Sequence, residues 1–177
     1  LSVAMRRAME ESPEFAKMKA LAARHPFGEV LRDHRVAVLA GVGGLAATGS
    51  FNGLFFSHMP AYLSGVLGYE PRAAVVAQTV AVVVHAAGIL AVGRLADRVA
   101  PQTLIRIGAI GLAVLAYPFY GALAAKSLPP LPLLVLAGVV ASLVNGTFAF
   151  LLTDLFPTRI RFSGGALAFN IAFTLFS

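Results

Sequence analysis

The chain has 177 residues, of which 58% are hydrophobic and only 12% charged, with a mean hydropathy of +0.81. Water-soluble domains carry about twice that charge, so a soluble globular protein is excluded and the net charge of +6 must find its explanation at a membrane. With no cysteine, disulfide frameworks, thiolate metal sites and thiol nucleophiles are excluded as well.

Residues 1–35 are the most polar part of the chain and read as one loop. Within it Ser12-Pro13-Glu14 supplies an N-cap, a proline at N1 and an acid in the first turn, which predicts a short helix. Phe15, Met18, Leu21 and Ala22 would share one face of it, and Lys17, Lys19 and Arg24 could reach anionic headgroups. It either lies on the membrane surface or packs as a solvated linker against neighbouring loops. His25-Pro26 ends it.

Beyond Arg35 the charged residues retreat into short stretches. None lies between Arg35 and Glu70, Arg72 and Arg94, Arg106 and Lys126, Lys126 and Asp154, or after Arg161. A helix rises about 1.5 Å per residue and the hydrocarbon core is about 30 Å thick, so one crossing takes about 20 residues. The predicted spans are 36–60, 73–93, 107–125, 131–153 and 162–177, which makes the fold an all-α integral membrane bundle. Pro129-Pro130-Leu131-Pro132 marks the start of the fourth. The fifth has 16 residues, too few to cross, and is expected to be truncated; Leu1 in place of an initiator methionine, with no secretory segment, implies further protein upstream.

Lys and Arg near span ends are retained on the cytoplasmic side. Arg6, Arg7, Lys17, Lys19, Arg24, Arg32, Arg35, Arg94, Arg98, Arg106, Arg159 and Arg161 fall on one side of the alternating spans, and only Arg72 and Lys126 on the other. This asymmetry puts residues 1–35 in the cytoplasm and accounts for the net charge. Nucleic acid is excluded as a partner, because phosphate binding needs one contiguous basic face.

Gly41-Val42-Gly43-Gly44-Leu45-Ala46 has the form of a dinucleotide-binding turn, but that turn works only between a strand and a helix, and here it lies inside an uncharged span. These glycines, and the Gly49/Gly53 pair, instead permit close helix packing. No metal-binding spacing exists among His25, His34, His58 and His85, and no span contains Asp or Glu. Enzyme chemistry, metals and cofactors are therefore not expected. The spans do hold a sparse polar set that should face protein or water. Asn52, Gln78, His85, Asn145 and Asn170 are its candidates for a substrate pathway; Ser57, Thr79 and His58 complete the set, His58 lying near the outer end of its span. His85, near the middle of its span and titratable at accessible pH, either binds substrate or carries protons, or else makes an interhelical hydrogen bond as a neutral imidazole.

The loops carry a sharper signal. Gly93-Arg94-Leu95-Ala96-Asp97-Arg98 resembles the G-x-L-(A/S)-D-R loop of the major facilitator superfamily, and Asp154-Leu155-Phe156-Pro157-Thr158-Arg159-Ile160-Arg161-Phe162-Ser163-Gly164 resembles a cytoplasmic segment of its metabolite:proton symporter branch. Glu11-Ser12-Pro13-Glu14-Phe15 is similar to that branch's central loop. The resemblance implies a major-facilitator-type bundle in which these spans are the seventh to eleventh of twelve. It further implies a bacterial inner-membrane transporter that moves a small metabolite with protons by alternating access, its missing amino-terminal half being a partner in the site. Gly93, Arg94, Asp97 and Arg98 would latch the halves, and Asp154, Pro157, Arg159 and Arg161 would anchor a neighbouring corner. Gly93 would allow a tight helix exit, Asp97 would favour a helix N-terminus and the arginines would pair with carboxylates. The wording near the fifth span leans toward proline- and betaine-type members. The alternative function is a non-transporting membrane scaffold or sensor.

Overall fold

Inside a bilayer an uncharged run has no water to satisfy its backbone, so it must close its own hydrogen bonds as a helix. The computed structural model describes residues 26–177, and every element among them is helical. They are α1 (Pro26–Asp33), α2 (Arg35–Val66), α3 (Pro71–Leu95), α4 (Pro101–Ala124), α5 (Pro130–Asn145), α6 (Phe148–Leu155) and α7 (Arg161–Phe176). Four stretches are long and apolar enough to cross a membrane: α2, α3, α4, and α5 with α6 taken together as Pro130–Leu155. The helix expected after Ser12 lies outside the described residues.

Three helix boundaries differ from the charge-free runs, each for a local reason. The α3 helix starts at Pro71 because the Glu70 carboxylate caps it, accepting from the backbone N–H groups of Arg72 and Ala73 at 3.0 and 2.8 Å. The α4 helix starts at Pro101 and takes Arg106 into its early turns, where a long side chain can reach the polar boundary. The α2 helix runs past Pro60, where it was expected to stop, and continues to Val66 by widening its turns over Gly53–His58 and Tyr62–Val66. In this wider i to i+5 register the carbonyl of Phe55 faces residue 60, and proline has no N–H to give it. The Gln78 side chain of α3 supplies the missing donor, Nε2 to Phe55 O at 2.6 Å.

The fourth run is also not one continuous helix. It breaks at Gly146-Thr147, directly after Asn145, where the Thr147 hydroxyl donates back to the Leu143 carbonyl at 2.6 Å.

The main pairings are α3 on α5, α7 on α2, and α4 on α5. Small residues let the first two close up. A Cβ at Gly138 would stand 3.2 Å from the Ala81 carbonyl oxygen and 3.3 Å from His85 Cβ, and one at Gly41 would stand 2.9 Å from Ala168 Cβ. This matches the rule that membrane helices associate by close packing, since lipid offers no hydrophobic driving force between them. Two apolar clusters close the ends: Phe55, Met59, Leu63, Phe119, Leu123 and Leu134 at one, and Val30, Val38, Phe156, Ile160 and Ala168 at the arginine-rich other. Ile110, Val114 and Tyr117, spaced four and three residues apart on α4, form an exposed stripe suited to hydrocarbon.

Candidate functional site

Three polar residues of the spans, Asn52, His85 and Asn145, are gathered where α2, α3 and α5 meet. His85 lies on α3 and is only 3% exposed. On α5, Gly138 and Asn145 are seven residues apart, two helical turns, so both face α3. The missing side chain at Gly138 brings its carbonyl oxygen to 2.8 Å from His85 Nδ1. Asn145 Nδ2 lies 3.1 Å from His85 Nε2, and Asn52 Nδ2 of α2 lies 3.5 Å from Asn145 Oδ1 while also donating to the Thr48 carbonyl at 2.7 Å.

The direction of every bond in this chain follows from its ends. A carbonyl only accepts, so His85 Nδ1 carries a proton. Asn52 donates to Asn145 Oδ1, which turns the Asn145 amide nitrogen toward Nε2. Nε2 then accepts from the Asn145 amide. The rings of Phe51 and Phe56 flank it, with centroids 5.4 and 5.9 Å away. Of the two readings the sequence left open for His85, this state of the molecule displays the interhelical hydrogen bond.

Gln78, also on α3, lies two turns from His85 on the same face. Its Nε2 is held by Phe55, while its Oε1 is a buried acceptor with no partner among the described residues. Asn170 stands apart from this group: it is exposed on α7 and donates to Ala166 of its own helix at 2.7 Å.

At the arginine-rich end the loop residues behave differently from the expectation. Gly93 lies within α3, not at its exit, and has open space where a Cβ would stand. Arg94 donates weakly to the Leu90 carbonyl at 3.4 Å. Asp97 does not cap α4, whose N-cap is Ala100 with no side-chain bond. Among the described residues Arg94, Asp97 and Arg98 have no ion-pair partner, and all three are exposed. The second segment is better anchored. Asp154 Oδ2 accepts from Gln102 Nε2 of α4 at 3.0 Å, Arg159 pairs with Glu29 of α1, and Arg161 Nε donates to the Phe156 carbonyl at 3.2 Å. The carbonyl of Pro157 accepts the Ile160 N–H at 3.0 Å and so closes the turn into α7, where the Phe156 ring lies over Gly164 and leaves no room for a Cβ.

Sequence reasoning found Asn52, His85 and Asn145 but missed Glu29, Gln102, Phe51, Phe56 and Gly138. A glycine two turns before a membrane asparagine was the one legible signal, for Gly138. The others act through partners too far along the chain to be paired by pattern.

Residues 3–177 match the Major Facilitator Superfamily. The chain is 32% identical over 149 residues to the glycine betaine/proline/ectoine/pipecolic acid transporter of Dickeya dadantii, and 31% identical over 149 residues to the proline/betaine transporter of Salmonella typhimurium; each alignment takes in 82% of this chain and 29% of the relative. It is 27% identical over 155 residues to the ectoine/proline transporter of Corynebacterium glutamicum, with 87% of this chain and 31% of the relative covered. The chain thus spans about a third of the length of these relatives. No solved structure matches it. The family and these relatives are transporters, not enzymes. Four membrane-length helices, small-residue packing, a buried polar junction among uncharged spans and a match across residues 3–177 lead to one identification: the chain belongs to the Major Facilitator Superfamily.

Proposed function

We propose that this chain is the seventh-to-eleventh-helix part of a secondary transporter that takes up a small zwitterionic solute of the proline, betaine or ectoine kind, coupled to protons by alternating access. The observation that carries the reading is the Asn52–Asn145–His85 junction. Three helices each commit a polar side chain to this junction, at a depth where an unpaired group costs several kcal/mol. Such a junction can be remade when the helices shift and a polar solute enters. The names of the relatives supply the solute class.

In this reading residues 1–35 face the cytoplasm of a bacterial cell and the arginine-rich end of the bundle meets the amino-terminal half of the same protein. The exposed Arg94, Asp97 and Arg98 are the latch contacts of that meeting, and Asp154, Pro157, Arg159 and Arg161 hold the neighbouring corner rigid. His85, Asn52, Gln78 and Asn145 line the route, and the unpartnered Gln78 Oε1 is an acceptor available to an N–H group of the solute or to water. Asn170 stands on a second wall. Membrane lipid surrounds the exposed apolar faces.

The test is uptake by the full-length protein in proteoliposomes, with proline, glycine betaine, ectoine, citrate and shikimate, with and without an inward proton gradient. Accumulation of the zwitterions that rises with the gradient is expected. Uptake indifferent to the gradient removes proton coupling, and uptake of none of the solutes leaves the scaffold reading in its place.

A further inference from the structure

A groove of about 590 Å³ runs between α6 and α7, away from the His85 junction. Arg161, the first residue of α7, stands at its arginine-rich end. Its Nε donates to the Phe156 carbonyl at 3.2 Å, which fixes the side chain, and its terminal nitrogens have no partner among the described residues. No acidic residue lines the groove. Two carboxylates of this corner are engaged elsewhere, Asp154 by Gln102 and Glu29 by Arg159.

From Arg161 the groove follows α7 past Gly165 to Phe169. These residues are spaced by four and so lie on one face, and the eight positions between the first and the last span about 12 Å along the axis. The floor at Gly165 is open, for a Cβ there would meet only Leu152 Cβ, at the ordinary contact distance of 3.9 Å. Beyond the arginine the walls are mostly apolar, with the rings of Phe148 and Phe169 at the far end. Thr153 and Asn170 also line it, but each already donates to a carbonyl of its own helix, at 2.8 Å to Phe150 and 2.7 Å to Ala166. Thus satisfied, they can face hydrocarbon. Phe162, beside Arg161, is 89% exposed, an aromatic face that no part of this bundle covers.

The length of the groove decides what fits it. The hydrocarbon core is about 30 Å thick, so one leaflet supplies about 15 Å of it. An apolar channel of about 12 Å that starts at a cation and ends on aromatic rings therefore matches one acyl chain hanging from a headgroup. Arginine pairs with phosphate through two parallel charge-assisted hydrogen bonds, and basic recesses between membrane helices at the cytoplasmic side suit anionic headgroups. We infer that the α6–α7 groove is a site for a single anionic phospholipid, with its phosphate on the Arg161 guanidinium and one acyl chain laid over Gly165 toward Phe148 and Phe169. Every phospholipid offers a phosphate, but with no acid in the groove to receive a choline or ethanolamine nitrogen, a headgroup of net negative charge is preferred. The inference stands apart from the solute and its coupling.

The experiment uses the full-length protein in phosphatidylcholine nanodiscs doped with phosphatidylglycerol that carries a photoreactive group on one acyl chain, the adducts being mapped by peptide mass spectrometry. Wild-type protein is expected to take up label on α6 and α7 saturably, and photoreactive phosphatidylcholine to label them weakly. Arg161→Gln should raise the half-saturating lipid fraction about tenfold, the worth of a charge-assisted pair, and Arg161→Lys by less. Gly165→Leu, which fills the floor, should remove the α6–α7 adducts, while Gly165→Ala, for which there is room, should label like the wild type. Excess glycerol phosphate should not compete. Wild-type protein without saturable α6–α7 adducts overturns the site, including where another helix of the full-length protein covers the groove, and so does equal labelling by the two lipids. Wild-type labelling in both Arg161→Gln and Gly165→Leu overturns it as well. Full competition by glycerol phosphate would show a site for a free phosphate and overturn the lipid assignment.

Discussion

The imidazole of His85 and the carboxamide of Asn145 meet at 3.1 Å across the α3–α5 interface, sixty positions apart in the chain. Removing either partner strands the other in a dry place. Asn145→Leu or His85→Leu alone should each cost about 1–3 kcal/mol of stability, the penalty of an orphaned buried polar group. The double variant should cost less than the sum by at least about 0.5 kcal/mol, because it strands neither of the two. Reversible unfolding of the full-length protein in bicelles measures the cycle; strictly additive costs would mean that the two side chains do not touch.

Gly138 sets the distance at which that bond can form. An added Cβ would press on the backbone of Ala81 and on His85 Cβ, and neither can swing aside as a long side chain could. Gly138→Ala should destabilise modestly and Gly138→Val by about 1–3 kcal/mol, the usual cost of overpacking. A melting temperature for Gly138→Val equal to that of the wild type would show that α3 and α5 do not approach this closely.

Gln78 has a replaceable job. If it satisfies the Phe55 carbonyl that Pro60 leaves bare, then Gln78→Leu should cost about 1–3 kcal/mol. Adding Pro60→Ala restores a backbone N–H at residue 60 and should recover part of that loss. No recovery in Pro60→Ala/Gln78→Leu would mean that the bare carbonyl is not what Gln78 serves.

The turn before α7 contrasts two kinds of contact. The Arg159–Glu29 pair has side chains 50% and 20% exposed, so Arg159→Ala should change stability by no more than about 1 kcal/mol and less in high salt. Phe156, buried one residue before Pro157, should cost about 3–5 kcal/mol when cut to alanine. Thermal unfolding at low and high ionic strength separates them, and the reverse ranking would contradict the burial seen here.

Asp97 is exposed and caps no helix in this bundle, so its expected effect is on function rather than folding. Asp97→Asn in the full-length protein should lower the maximal uptake rate while leaving the amount in the membrane unchanged. Wild-type uptake kinetics would remove Asp97 from the latch.

Four membrane-length helices were legible because crossing is a local property: about 20 apolar residues make one. The loop resemblance was legible for the same reason, being carried by contiguous residues, and the family match bears it out. Helix ends were less so. The passage of α2 through Pro60 depends on a donor 23 positions away, and the break after Asn145 on a hydroxyl turning back to its own helix.

The candidate site shows the same division. That Asn52, Gln78, His85, Asn145 and Asn170 must avoid lipid follows from composition and span length alone. Which of them meet does not. Asn52, Asn145 and His85 converge, Gln78 serves the backbone of α2, and Asn170 belongs to a different groove. The amino-acid sequence by itself determined a helical membrane bundle with four membrane-length helices, since hydrophobicity acts on each segment separately. Only the tertiary structure decided the hydrogen-bond partners of His85 and the split of the polar residues into a junction and a groove. Hydrogen bonds are short and directional, and their partners are set by helix contacts at small residues such as Gly138, which no single segment contains.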